Sequence, residues 1–251
     1  MKIAAVPDGP VEIPGIVAEL AGDDVPVPVW RNLLGGLTFR FGPAGGERFI
    51  KWMPPEAPTF DIEVERLTWA RRFVEVPRVL DSGIGDEGSW MLTAGIPGHS
   101  AVDERHTSSA QAARLAARAI GAGLRRLHDA LPVGDCPYSW SVSERIARAR
   151  AAGTVVDASL EGPPSIDRLV VCHGDACAPN TLVDAEGSFA GHVDLGSLGV
   201  ADRWADLAVA TWSLDWNFTG GVALEGELLD AYGVVRDEER MRYYRALWAA
   251  T

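Results

Sequence analysis

Residues 171–208 read VCHGDACAPNTLVDAEGSFAGHVDLGSLGVADRWADLA. The apolar run in RLVVCHG predicts a buried strand that stops at Gly174, which leaves Asp175 at the strand end. Asn180 lies five residues further on, across a turn fixed by Pro179. TLVD and FAGHVDLG predict a hairpin around AEG, with Asp194 after the second strand and before Gly196. A carboxylate at a strand end can point into a cleft while backbone amides hold its turn, and it can accept a proton from a hydroxyl. An amide oxygen and a second carboxylate can share a magnesium ion, which takes oxygen ligands and substrate phosphates rather than an all-protein cage. Asp, Asn and Gly also favour turns for purely local reasons. The ordered set HGD, PN, hairpin, DLG is harder to explain as turn chemistry. It supplies the parts of a phosphoryl-transfer site, where catalysis is mostly positioning and charge neutralisation.

Around this core, His173 is expected to orient the loop by bonding its backbone, and His192 to be structural. Asp202 and Asp206 are four apart and are expected to share a helix face, with one of them capping or anchoring the loop. Upstream, VPVPVW, LTFRFG, RFIKWM, PRVLDSG and SWMLTAG are strand candidates, separated by the turns GPAGGE and IGDEG. Thr59–Phe73 reads as a helix with Ile62, Leu67, Trp69 and Phe73 as its apolar contacts. Lys51 lies in a strand and can reach nucleotide phosphates if a carboxylate holds it. Glu63 and Glu65, two apart on the following helix, point to different faces, so at most one pairs with it. Gly35 and Gly36 in NLLGGLT could bring backbone close to phosphate, although the spacing is neither that of the P-loop nor that of the dinucleotide fingerprint.

Beyond a hinge at Gly95–His99 the pattern turns helical. Ser109–Leu131 is Ala-rich, with Leu115, Ala119, Leu124 and Leu127 near helical spacing. Ser141 with Glu144 forms a capping box. Further helices are expected over 202–212, 224–232 and 237–249. The expected fold class is α+β: a small antiparallel-sheet lobe over residues 1–95 and a mainly helical lobe over 96–251.

Composition narrows the partners. Thirty-five Asp and Glu against 23 Lys and Arg give a formal charge of −12, which opposes nucleic acid and anionic lipid and either suits a cationic partner or simply keeps the chain soluble. Cys136, Cys172 and Cys177 form no framework and fit zinc spacing poorly, which suggests a reducing interior. With no signal peptide and no apolar run of spanning length, a soluble cytoplasmic protein, monomer or weak dimer, is expected.

The whole pattern resembles the aminoglycoside phosphotransferase family, in the branch acting on a 3'- or 3''-hydroxyl. The resemblance runs over nearly the full length: WRNLLGGLTF, the Lys51 strand, DIEVERLTW, VPRVLD, WMLTAGIPG, LRRLHDALPVGDCPYSW, HGDACAPN, DLGSLGVADRWADLA and YGVVRDEERMRYY. It implies a bilobal protein-kinase-like fold using ATP with magnesium. Asp175 would be the catalytic-loop aspartate, Asn180 and Asp194 the magnesium ligands, and His173 the brace of the loop. Lys51 would bond the α- and β-phosphates with Glu63 as its ion-pair partner, and Leu92, Thr93, Ala94 and Gly95 would lie beside the adenine. The chain departs from relatives at Ser197, where arginine is frequent. It also departs in a short segment before VVCHGD and in the ending YYRALWAAT, where 3'-acting relatives usually offer an acidic pair. Asp129, Asp135, Asp157, Glu161 and Asp215 are candidate contacts for a cationic acceptor, with Trp216 or Phe218 packing on a sugar face. The alternatives are a kinase of the same fold acting on another small amine, sugar or antibiotic, and a nucleotide-binding pseudokinase.

Overall fold

The computed structural model describes residues 5–251. The chain forms two compact units. One runs to Arg72 and resumes over Pro77–Pro97; the other comprises Phe73–Val76 and Gly98–Thr251.

The first unit opens with helix α1 (Gly15–Ala21), which the sequence pattern did not suggest. Strands β1 (Val27–Arg31), β2 (Leu37–Phe41) and β3 (Arg48–Met53) follow, then helix α2 (Asp61–Ala70) and strands β4 (Arg78–Gly85) and β5 (Gly88–Ala94). The strands pair antiparallel in the order β1-β2-β3-β5-β4. Phe39, Ile50 and Leu92 sit on one face and close over Val17 of α1. The predicted helix over 59–73 is trimmed at both ends: Thr59 Oγ1 bonds the Asp61 carboxylate at 2.7 Å ahead of the first turn, and the helix stops at Ala70. Ile62 is solvent-exposed rather than a core contact.

The second unit begins with β6 (His99–Ser100), the short helix α3 (Glu104–Thr107) and the long helix α4 (Ala110–Ala130). Ser109 caps α4 by accepting from the Ala112 amide at 3.2 Å. Helix α5 (Val142–Ala151) is capped by Ser141 through the Glu144 amide at 3.3 Å. Strand β7 (Leu169–Cys172) pairs antiparallel with β10 (Gly199–Asp202), a strand not anticipated from the sequence. Between them lies the predicted hairpin, β8 (Thr181–Val183) and β9 (Phe189–His192), extended on its open side by β6. Asp184 closes the hairpin turn by accepting from the amides of Glu186 and Ser188.

Helices α6 (Trp204–Asn217), α7 (Glu225–Tyr232) and α8 (Glu238–Ala250) complete the unit. Asp202 therefore ends a strand and does not share a helix face with Asp206. It caps the start of α6 by accepting from the Trp204 amide at 3.0 Å, and it also accepts from the Asp167 amide at 2.8 Å. The core of this unit packs Ile120 and Leu124 of α4 against Leu207 and Leu214 of α6, Leu228 of α7 and Leu247 of α8. Leu115, expected in this core, is part-exposed. No helix among the described residues is long and apolar enough to cross a membrane.

Small residues let α4 and α7 approach closely. A Cβ on Gly121 would stand 2.1 Å from the Leu228 carbonyl oxygen, whereas one on Gly226 of α7 would meet nothing. Gly121→Ala is expected to destabilise by on the order of 1–3 kcal/mol through overpacking. Gly226→Ala should be neutral or stabilising by up to about 1 kcal/mol through helix propensity. Urea unfolding of the two variants checks the contrast.

Candidate active site

In the second unit, Asp175 follows β7 across a sharp turn at Gly174. That glycine has φ +85°, and a Cβ there would lie 2.1 Å from the Ser197 carbonyl oxygen, so no other residue fits. Strand β7 ends at Cys172, and the freed amides of His173 and Gly174 donate to the Asp206 carboxylate at 2.6 and 2.9 Å. Asp206 is fully buried on α6 and also bonds His128 Nε2 at 2.9 Å. An ionised carboxylate only accepts, so His128 donates from Nε2 and accepts at Nδ1 from the Tyr232 hydroxyl at 2.9 Å. Burial pushes the Asp206 carboxyl up, but the hydrogen bond from His128, the two neighbouring imidazoles and the Gly174 amide outweigh it and hold it below its usual range.

His173 is buried between the two loops. Its Nε2 donates to the Val193 carbonyl at 3.0 Å, and its Nδ1 accepts from the Asp175 amide at 3.3 Å. One imidazole thus bonds the residue before Asp194 and the backbone of Asp175. His192 packs edge-on against it at 5.3 Å. Burial, then the neighbouring His173, lowers His192 to about 3, so it stays neutral and structural.

Asn180 ends a 3-10 turn (Ala178–Asn180). Its amide nitrogen donates to the Asp175 carbonyl at 3.0 Å and to Asp175 Oδ2 at 3.1 Å. That orientation turns the amide oxygen away from Asp175, where it can meet a cation. Asp175 Oδ1 is buried and has no hydrogen-bond partner. Burial first, and the charge of Asp194 second, raise the Asp175 carboxyl above its usual range. Asp194 has φ 66°, the left-handed region, and is the one non-glycine residue there among those described. Two carboxylates that repel each other beside an amide oxygen form an all-oxygen donor set, which fits a hard divalent cation. Cys177 lies in the same loop. Burial, then Asp175, pushes its thiol up, so it keeps its proton.

A second grouping, His128, Cys172 and Asp206, brings its ligand atoms within 4.8 Å of one another. It is a hydrogen-bonded support rather than a metal centre. Asp206 is already committed to two amides and an imidazole, and burial, then Asp206, pushes the Cys172 thiol up so that it stays protonated.

In the first unit, Lys51 Nζ bonds Glu63 Oε1 at 2.6 Å, with both side chains largely buried. Glu63 rather than Glu65 is the partner. Gly35 has φ +83° in a turn closed by Asn32, whose Oδ1 accepts from the amides of Leu34 and Gly36 at 3.0 and 2.8 Å. A Cβ on Gly36 would collide with Met53 Sδ at 2.1 Å. Turn geometry and packing therefore account for both glycines. Leu92 packs in the core with Phe39 and Ile50, Thr93 is buried, and Ala94 and Gly95 lie half-buried at the strand end.

The acids proposed for the acceptor separate. Asp129 pairs with Arg125 and Arg168 at 2.5 and 3.0 Å, Glu161 with Arg150 at 2.5 Å, and Asp157 caps a 3-10 turn through the Ser159 amide at 2.8 Å. Asp135 and Asp215 remain exposed, and Phe218 is core. The sequence did not signal the His128–Tyr232 link, because its partners lie 104 residues apart.

This architecture and loop pair define a phosphotransferase of protein-kinase-like fold. A family model described as "Phosphotransferase enzyme family" matches residues 30–244. An aminoglycoside 3'-phosphotransferase of Streptomyces fradiae is 36% identical over 80% of this chain and 84% of its own length. A streptomycin 3''-kinase of Streptomyces griseus is 33% identical over 81% and 85% respectively. A solved aminoglycoside phosphotransferase, APH(3'')-Id of Streptomyces rimosus, in complex with ADP and streptomycin, superposes with a TM-score of 0.71. It is 29% identical, over 92% of this chain and 94% of that one. The chain belongs to this phosphotransferase enzyme family.

The raised Asp175 carboxyl has a consequence for stability. Below the unfolded value of about 3.9 both states hold the proton and nothing is lost. As pH rises toward the folded value the unfolded chain ionises first, and stability falls. Asp175→Asn is therefore expected to melt higher than the parent at pH 7, with the difference shrinking as pH falls toward about 4 and absent below it. Calorimetric scans across that range check it.

Proposed function

We propose that this protein transfers the γ-phosphoryl group of ATP to a 3'- or 3''-hydroxyl of an aminoglycoside antibiotic and so confers resistance. The observation that carries the reading is Asp175: a desolvated carboxylate with one oxygen held by Asn180 and the other unpartnered. Such a group can take a hydrogen bond from a substrate hydroxyl and receive its proton as the oxygen attacks phosphorus. Desolvation brings its proton affinity nearer to that task. His173 keeps the Asp175 backbone in place, and the Asp206 carboxylate holds the turn before it.

Asn180 and Asp194 are the residues that would hold magnesium. When bound, the ion would offset charge on the β- and γ-phosphates. In the first unit, the Lys51 ammonium would bind the α- and β-phosphates, with Glu63 fixing its direction. The Cys172 and Cys177 thiols, pushed up by burial, keep their protons and take no part in the transfer. The use of ATP and the three free cysteines favour a cytoplasmic setting. A monomer or weak dimer suffices for this chemistry, and the acidic balance argues against nucleic-acid or membrane partners.

The test is ADP release across a panel of kanamycin, neomycin, ribostamycin, streptomycin and hygromycin, with the product hydroxyl mapped by NMR. Turnover on at least one of them is expected; none, with ATP still bound, would refute the aminoglycoside assignment. Asp175→Asn should lower kcat by about 10²–10⁴-fold, the usual worth of a positioned base, while nucleotide binding persists. A second result is expected from metal titration. Asn180→Ala should raise the magnesium concentration needed for half-maximal rate, and an unchanged requirement would remove Asn180 from the ligand set.

A further inference from the structure

Helix α6 and the closing helix α8 share an aromatic surface that phosphoryl transfer leaves unexplained. Trp212 and Trp216, one turn apart on α6, have ring centroids 4.7 Å apart. Trp248 of α8 lies 5.5 Å from Trp216 and 6.1 Å from Trp212. Trp216 is 46% exposed, a large share for the bulkiest apolar side chain, and its two neighbours are half-buried.

Asp215 stands three residues after Trp212 and hence beside it on the helix surface. It is exposed, and its side chain has no hydrogen bond or ion pair among the described residues. It also occupies the last turn of α6, where the negative end of the helix disfavours a carboxylate and no basic residue compensates. Neither helix stability nor a salt bridge accounts for an acid at this place.

The helix that carries this surface is tied to the loop holding Asn180. Ser213, between Trp212 and Trp216, accepts at Oγ from the Ala178 amide at 2.9 Å, and Asn217 Nδ2 donates to the same oxygen at 3.1 Å. Helix α6 is thus pinned to the turn that carries Asn180.

We propose that Trp212, Trp216, Trp248 and Asp215 form the acceptor-recognition surface, and that it selects acceptors bearing planar guanidinium cations over those bearing only ammonium groups. The inference rests on the small-molecule kinase reading above and names its substrate class. Indole faces attract cations. A guanidinium is planar, weakly hydrated and stacks on such faces, whereas an ammonium is a strongly hydrated point charge. A polyammonium acceptor needs several free carboxylates, and of the five candidate acids Asp129, Asp157 and Glu161 are already engaged by arginines or a cap, which leaves Asp135 and Asp215. One carboxylate beside three indoles suits one stacked cation plus one ion pair.

The experiment is calorimetric titration of the full chain, without nucleotide, with streptomycin, which carries two guanidinium groups, and with kanamycin, which carries only amines. Steady-state kinetics on both run in parallel. The expected result is tighter binding of streptomycin, weakened about tenfold in Trp216→Ala and similarly in Asp215→Asn. Trp216→Phe should retain most of the affinity, and the KM for ATP should not move. Tighter kanamycin binding, binding of neither compound, or streptomycin binding unchanged in a folded Trp216→Ala would overturn the proposal. The two readings fail separately. Streptomycin bound through Trp216 with no acceptor phosphorylated removes the aminoglycoside kinase and keeps the surface; phosphorylation unaffected by Trp216→Ala does the reverse.

Discussion

The loop geometry of the second unit depends on one buried carboxylate. A fully buried ion is costly unless its hydrogen-bonding capacity is filled. Asp206 fills its own with the His173 and Gly174 amides and His128 Nε2. Those two amides come from a turn too tight for a strand ladder, because Gly174 has left-handed backbone and sits against Ser197. Without an acceptor at that place the turn would bury two unsatisfied donors. The same carboxylate reaches α4 through His128, and Tyr232 of α7 sets the tautomer of that imidazole. Three helices thereby fix a few atoms of loop.

Asp206 and Asp175 show how environment divides labour between like groups. Both are desolvated. Asp206 meets two amides and an imidazole and is held ionised below its usual range. Asp175 keeps one oxygen without a partner and faces the charge of Asp194, so its proton is held more tightly. Titratable groups pushed in opposite directions within one loop system mark where support ends and chemistry starts. The same logic separates His192, neutral and packed, from His173, which spends both ring nitrogens on the two loops.

Much of this was legible in the sequence where the signal is local. The strand end at Gly174, the hairpin around Asp184 and the Ser109 and Ser141 caps follow from spacing and capping chemistry, whereas spacing limits Lys51 to one of Glu63 and Glu65 and only the family resemblance singles out Glu63. What the sequence hid depends on distant partners. Strand β10 is four residues long and exists because β7 pairs with it; its apolar content alone could belong to the start of a helix. Spacing alone therefore puts Asp202 on α6, whereas it ends β10 just ahead of that helix. Ile62 and Leu115 have core composition at near-helical spacing, yet their helices turn them outward. The acids at 129, 157 and 161 look free in a linear chain and are satisfied only once Arg125, Arg168, Arg150 and the Ser159 amide come near.

Asp194 holds a backbone conformation that an L side chain adopts at a cost on the order of 1 kcal/mol or more. The His173–Val193 bond and the end of β9 keep it there. An aspartate in that conformation does not search for its orientation when a ligand arrives, because folding has already made the selection. The ordering cost is carried by the stability of the fold rather than by each binding event. A substitution that relaxes this one φ angle would therefore trade a sturdier fold for a less ordered side chain at position 194.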